Sequence, residues 1–94
     1  MKFPIGKIYW TKGVNEKIAS DIPFAKYVLE CLKRHADCDW GEIDCEDKQA
    51  NNEALKNGER LFSAYIHIGD ESSKVWIITE SDRSVTTVLF PEEY

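Results

Sequence analysis

Long hydrophobic runs are missing from this sequence, and no stretch approaches the roughly 20 apolar residues that a membrane-spanning helix needs. The first residues also lack the apolar core and the small-residue cleavage site of a secretory signal. No internal repeat, low-complexity tract or linker rich in Pro, Gly or Ser is present. We therefore expect a cytoplasmic protein without membrane contact, and a length of 94 residues predicts a single domain, residues 1–94.

Basic residues are also scarce, since 12 Lys and Arg stand against 17 Asp and Glu, for a formal net charge of -5. We expect no direct binding to nucleic acid, because such binding depends on Lys and Arg that neutralise phosphates. The charge is uneven: residues 37–59 contain eight acidic residues and two lysines. Such a run usually forms a solvated face, and it could alternatively bind a cation or a basic protein. Asp37, Asp39 and Glu42 are our candidates for protein contact.

Three cysteines, an odd number without secretory context, predict free thiols rather than a disulfide framework. His35 and Cys38 have the close spacing of a zinc ligand pair, and Cys45 could add a third ligand. Because no CxxC and no second ligand pair accompany them, we predict no metal and no cofactor, and we interpret the cysteines as buried or incidental thiols. A small metal-binding module or enzyme that uses His35, Cys38 and the 80–83 loop is the alternative.

Apolar spacing and capping residues predict the helices. A short helical turn is expected over 15–19, a longer helix over 24–35, and a surface helix over about 45–57. Asp44 caps the surface helix and Gly58 ends it in this prediction. The longer helix carries an apolar stripe that we expect to face the core, formed by Phe24, Ala25, Val28, Leu29 and Leu32.

Alternating apolar residues predict a first strand over 5–11 and three more strands over 60–68, 74–80 and 84–90. Short turn segments separate the last three strands, which favours an antiparallel meander. The element order β-α-α-β-β-β predicts an α+β fold, with a four-stranded, mainly antiparallel sheet and the helices on one face.

Large residues on both faces of the predicted strands indicate that the sheet needs a second covering layer. Tyr65 and His67 lie opposite Phe62 in the alternation of their strand, and Trp76 lies opposite Val75 in the next. Since two helices can cover only one face, we expect a protein partner or a homodimer on the other. Loops and the C-terminal tail are the alternative cover. Tyr65, His67 and Trp76 are the candidate binding residues.

The turn after the third strand is denser in polar residues than a tight turn requires. An Asp side chain bonded to the backbone, with threonines paired across the strands, explains most of this density. Alternatively, Glu80, Asp82 and Arg83 form a recognition tip, because functional residues concentrate on loops held by a rigid sheet. We include these three residues among the candidates for protein binding.

Several short motifs resemble a family of small bacterial proteins carried on plasmids and integrative elements, whose members are described as plasmid-related proteins. The similar segments cover most of the chain from position 13 onward: Asp39-Trp40-Gly41, Glu46-Asp47, residues 58–65, Trp76-Ile77-Ile78-Thr79-Glu80, Asp82-Arg83-Ser84, Thr86-Thr87, Leu89-Phe90-Pro91 and Glu93-Tyr94. The resemblance implies an accessory protein of a mobile genetic element in the bacterial cytoplasm. The family has no assigned activity, so the resemblance implies no catalytic residue.

Catalytic and phosphate-binding motifs are absent, since the sequence contains no GxSxG, no GxxxxGK[ST] and no GxGxxG. We therefore assign no catalytic residue. The sequence therefore predicts a non-enzymatic protein-interaction accessory protein of a bacterial mobile genetic element. We expect it to bind its partner through a sheet face or through residues 37–59, which we call the acidic segment.

Overall fold

Three helices, four strands and a short C-terminal turn make up residues 2–67 and 70–94, which are the residues that the computed structural model describes; for residues 67 and 70–73 it describes the backbone only. The strands are β1 (Lys7–Trp10), β2 (Leu61–His67), β3 (Asp70–Thr79) and β4 (Val85–Leu89). The helices are α1 (Lys12–Ser20), α2 (Ile22–Ala36) and α3 (Cys45–Asn57), and the 3-10 turn spans Pro91–Glu93. This element order confirms the predicted α+β fold.

The sheet has the strand order β1-β4-β3-β2. The neighbours β2 and β3 are antiparallel, as are β3 and β4, which is the predicted meander. The first strand differs, because β1 runs parallel to β4, with Ile8 beside Thr86 and Trp10 beside Val88. The sheet is therefore mixed rather than purely antiparallel.

Local capping explains where the longer helices begin and end. The Asp21 carboxylate accepts a hydrogen bond from the Phe24 N–H at the start of α2, and the Asp44 carboxylate accepts one from the Asp47 N–H at the start of α3. Gly58 ends α3 in the left-handed conformation, with a φ of 68°. The predicted bounds of α3 are confirmed, whereas α1 begins at Lys12, three residues earlier than the predicted helical turn.

The main core lies between α1, α2 and one face of the sheet, which we call the helix face. Its buried residues include Val14, Phe24, Val28, Tyr65, Val75, Ile77 and Val88. Leu29 is 62% exposed, so the predicted stripe is wrong at this position. The reason is geometric: the buried positions 24, 28, 31, 32 and 35 define the inner side of α2, and Leu29 falls outside it.

A second, smaller cluster lies beside the first, where the N-terminal segment and α3 meet the start of β2. Its buried members are Phe3, Trp40, Ala54 and Leu61. Phe3 stacks on Trp40, with ring centroids 6.2 Å apart. No helix within the described ranges is long and apolar enough to cross a membrane.

Candidate functional site

A group of aromatic side chains lies on the sheet face opposite α1 and α2, which we call the open face. Phe62 and Trp76 are in edge-to-face contact, with ring centroids 5.2 Å apart, and Trp76 contacts Tyr94 in the same way at 5.7 Å. Together with Arg60 and Ile78, these rings line a depression of about 260 Å³, which we call the aromatic cleft. The cleft presents two partly exposed rings and one largely exposed ring to solvent.

The C-terminal turn holds Tyr94 in place over the open face. The Glu93 carboxylate accepts hydrogen bonds from the Thr11 hydroxyl, from the Gly13 N–H at 2.9 Å and from the Phe90 N–H at 3.2 Å. The Thr11 bond, with help from the two backbone donors, lowers the pKa of this carboxyl. Glu93 therefore supplies the cap that the N-terminus of α1 lacks, since the Thr11 side chain makes no capping bond.

Arg60 and Glu80 form the polar rim of the aromatic cleft. The Arg60 Nε lies 3.5 Å from a Glu80 carboxylate oxygen, and one guanidinium nitrogen lies 3.4 Å from the Tyr94 hydroxyl. Arg60, Phe62 and Tyr94 were not among the residues predicted from sequence. The only sequence signal for an apolar second face was that Phe62, Ala64 and Ile66 occupy every second position of their strand. Of the predicted binding residues, the structure brings Trp76 and Glu80 together at this site.

Tyr65 lies on the helix face and not at the aromatic cleft, which corrects the prediction that it contacts a partner. It is fully buried, and its hydroxyl donates a hydrogen bond of 2.6 Å to the Asp39 carbonyl. Tyr65 pairs with Val75, whereas Trp76 points from the opposite face of β3. Tyr65 and Trp76 therefore cannot belong to one binding surface. The side chain of His67, the third predicted residue of this surface, is outside the described residues.

The acidic segment wraps around the outer edge of β2. The Asp39 carboxylate forms an ion pair of 2.7 Å with Arg34, and this hydrogen bond lowers the pKa of Asp39. A Glu42 carboxylate oxygen accepts a hydrogen bond from the Ile66 N–H at 3.1 Å. Asp37 is the residue that ends α2, where its N–H bonds to helix carbonyls. All three predicted acidic residues thus have structural contacts in the folded chain.

The predicted recognition tip is folded back on the protein at two of its three positions. The guanidinium of Arg83 donates to the Glu80 carbonyl at 3.1 Å and to the Ala54 carbonyl in α3 at 3.3 Å. Asp82 accepts from the Ser84 N–H and hydroxyl, which stabilises the turn. Glu80 alone is directed to the open face, where it meets Arg60. Turn chemistry therefore accounts for Asp82 and Arg83.

A chain of buried polar groups crosses the helix face, and sequence reasoning missed it. His35 Nδ1 lies 2.6 Å from the Ser63 hydroxyl, and Nε2 lies 2.9 Å from the Thr79 hydroxyl. Thr79 bonds to Thr86 at 2.8 Å, and Thr86 donates to the Ile5 carbonyl at 2.6 Å. The signal that could have found it is the presence of Ser and Thr at inward-facing strand positions.

Burial decides what His35 and Ser63 can do chemically. Their 2.6 Å separation is in the range of a nucleophile and its base, but both residues are fully buried, so a substrate cannot reach them. Burial, followed by the charge of Arg83, lowers the pKa of His35 to about 4 and keeps the ring neutral near pH 7. Both ring nitrogens face hydroxyls rather than Cys38. Within residues 2–67 and 70–94, no group of three or more His, Cys, Asp or Glu is placed to hold a metal ion.

The fold and the aromatic cleft define a small α+β protein with a mixed four-stranded sheet, helices on one face and an aromatic depression on the other. Comparisons with protein-family models, with curated proteins and with solved structures gave no match to the chain.

Proposed function

We propose that this chain is a non-enzymatic protein-interaction accessory protein of a bacterial mobile genetic element, and that it binds a protein partner in the cytoplasm through the aromatic cleft. The observation that carries the proposal is Trp76, which lies between Phe62 and Tyr94 on the open face, with Arg60 at the rim. Trp, Tyr and Arg are the residue types that most often dominate the binding energy of protein interfaces.

The lining of the aromatic cleft supports a protein partner. The cleft measures about 260 Å³ and is lined by three aromatic rings, Ile78 and Arg60. It is large enough for one apolar side chain of a partner, which would pack against the rings and leave the Arg60 and Glu80 rim in contact with water. Such an apolar centre with a polar rim is the usual anatomy of a protein interface.

The open face is a better candidate than the acidic segment, which was the other surface predicted from sequence. Asp39 and Glu42 already bind Arg34 and the β2 backbone, so their contact with a partner would compete with contacts inside the protein. The placement on a mobile element rests on the resemblance of several segments from position 13 onward to small bacterial proteins carried on plasmids and integrative elements. No catalytic residue is proposed.

An affinity capture from a bacterial host of such elements tests this proposal. Tagged wild-type protein should retain one partner in stoichiometric amount, and that partner, once purified, should bind at least about tenfold more weakly to Trp76→Ala and Tyr94→Ala, the loss expected for a central aromatic residue. Leu29→Ala, on the far side of the molecule, is the matched control and should bind normally.

The result is interpreted only for variants whose circular dichroism spectra match that of the wild type. A partner that binds Trp76→Ala and Tyr94→Ala as tightly as the wild type would overturn the aromatic cleft as the site. If binding falls instead with Asp37→Asn, the acidic segment is the binding surface. If no stoichiometric partner is captured, the interaction function itself is rejected.

A further inference from the structure

The described part of the chain covers the β2 edge of the sheet but not the β1 edge. At the β2 edge, the Asn51 side chain bonds to both the N–H and the carbonyl of Phe62. Further along, the Ala64 N–H donates to the Trp40 carbonyl, the Ala64 carbonyl accepts from the Glu42 N–H, and the Glu42 carboxylate accepts from the Ile66 N–H. The backbone of this edge is therefore covered.

The β1 edge has no such cover from the part of the chain that is described. The N–H groups of Lys7 and Thr11 bond to β4. Because backbone groups of a strand point alternately to its two sides, those of Ile8 and Trp10 point away from β4. The side chains of Ile8, Tyr9 and Trp10 are all exposed, Tyr9 by 52%. Unpaired backbone N–H and C=O groups on an uncovered edge are a template for strand pairing, and exposed apolar side chains favour that pairing.

We propose that this edge binds a second copy of the chain, with the two β1 strands antiparallel and Tyr9 on the two-fold axis, so that one eight-stranded sheet runs through the dimer. This register follows from the directions of the backbone groups. Ile8 of each protomer stands opposite Trp10 of its partner, and these two residues exchange both backbone hydrogen bonds. The two protomers thus form four backbone bonds from groups that β4 leaves unpaired.

The side chains of this register are self-complementary. On one face of the sheet, each Ile8 contacts Trp10 of the other protomer. Cross-strand pairs of a β-branched and an aromatic residue stabilise antiparallel strands. On the open face, the two Tyr9 rings meet at the axis. The two Lys7 residues lie at opposite ends of the pairing, so no like charges stand opposite each other.

Charge adds a specific reason for choosing a second copy as the occupant. In this register Lys7 stands opposite Thr11 of the other protomer, and on the same face of the sheet. The Thr11 hydroxyl is bound to the exposed Glu93 carboxylate. At each end of the interface, the Lys7 of one protomer therefore approaches the Glu93 carboxylate of the other. A four-residue strand forms a small interface, so we expect association that is weak and depends on concentration.

A charge-swap experiment at Tyr9 tests the dimer. By light scattering from about 10 μM to about 1 mM, a range suited to weak interfaces, the wild-type mass should rise from 10.8 kDa toward twice that value. Tyr9→Lys and Tyr9→Glu should each remain monomeric, because like charges would meet at the axis. An equimolar mixture of the two variants should associate again, since opposite charges then face each other.

Leu29→Lys is the matched control, because it adds the same charge to an exposed apolar position on α2 and should dimerise like the wild type. Circular dichroism of each variant checks the fold. The proposal is overturned if the wild-type mass stays at that of one chain throughout the range, if Tyr9→Lys associates as the wild type does, or if mixing the two charged variants restores nothing.

Discussion

The Nε2 of His35 lies 2.9 Å from the hydroxyl oxygen of Thr79, and the direction of this hydrogen bond is fixed by the residues beyond it. The Ile5 carbonyl can only accept, so Thr86 donates to it, Thr79 donates to Thr86, and Nε2–H donates to Thr79. Nδ1 is then the acceptor for the Ser63 hydroxyl. The network therefore holds His35 as the neutral Nε2–H tautomer.

The first prediction concerns pH and follows from this neutral histidine. The pKa of His35 is lowered from 6.5 to about 4 in the folded protein, so the unfolded chain binds a proton first as the pH falls. Its contribution to stability is complete above pH 6.5 and is lost progressively as the pH falls toward 4. Between pH 6.5 and 5 the free energy of unfolding should drop by about 2 kcal/mol.

Urea denaturation at several pH values, for the wild type and His35→Gln, measures this drop. The variant should be less stable at pH 7 because Ser63 and Thr79 lose a well-placed partner, and its stability should change little between pH 6.5 and 5. Carboxylates with lowered pKa values, such as Asp39, begin to protonate only below this window. Parallel pH curves for the two proteins would contradict the assignment.

The second prediction compares two neighbouring asparagines on α3. Asn51 is buried and bonds to both backbone groups of Phe62, whereas Asn52 is exposed and accepts one bond from the Trp40 indole. Asn51→Ala should lower the free energy of unfolding by about 2 kcal/mol, because two partly buried backbone groups lose their partner. Asn52→Ala should cost about 1 kcal/mol, since water can replace an exposed acceptor. Equal losses in urea denaturation would refute the special role of Asn51.

The third prediction separates steric contact from backbone strain at two glycines. Gly41 and Gly58 both have positive φ, 76° and 68°. A Cβ at Gly41 would lie 2.1 Å from the Ala64 carbonyl oxygen, while one at Gly58 would meet nothing within 4 Å. Gly58→Ala should therefore cost only the left-handed strain, about 1 kcal/mol.

Gly41→Ala should cost about 3 kcal/mol or more, because the contact is with backbone and the segment must leave the β2 edge. Thermal unfolding of the two variants, followed by circular dichroism, provides the comparison. Equal melting temperatures for Gly41→Ala and Gly58→Ala would contradict this prediction. They would show that the contact of residue 41 with the β2 backbone adds no cost to the strain of the left-handed backbone.

Local features of this fold could be predicted from the sequence, because their causes lie within a few residues. Asp44 and Gly58 fixed both ends of α3 correctly. The partner of β1 could not be predicted in the same way, because no short turn joins β1 to β4. The direction and register of β1 depend instead on the packing of α1 and α2 across the sheet. The mixed sheet is the result.

The aromatic cleft could be predicted only in part. Alternation placed Phe62 and Tyr65 on opposite faces, but both faces carry large apolar residues, so the pattern could not say which face the helices cover. Tyr94 could not be predicted, because its position depends on the contacts of Glu93 with Thr11 and Gly13, about 80 positions earlier in the chain. Separations of this kind leave no periodic signal in a sequence.

The parallel pairing of β1 with β4 has a consequence for biosynthesis. β1 is made before the only strand that it pairs with in the described sheet, Val85–Leu89, and three helices and two strands are made between them. Until then Ile8, Tyr9 and Trp10 have no β4 to pair with, and they are available to chaperones or to other nascent chains on the same messenger. The β1 side of the sheet therefore cannot form until Val85–Leu89 has been synthesised.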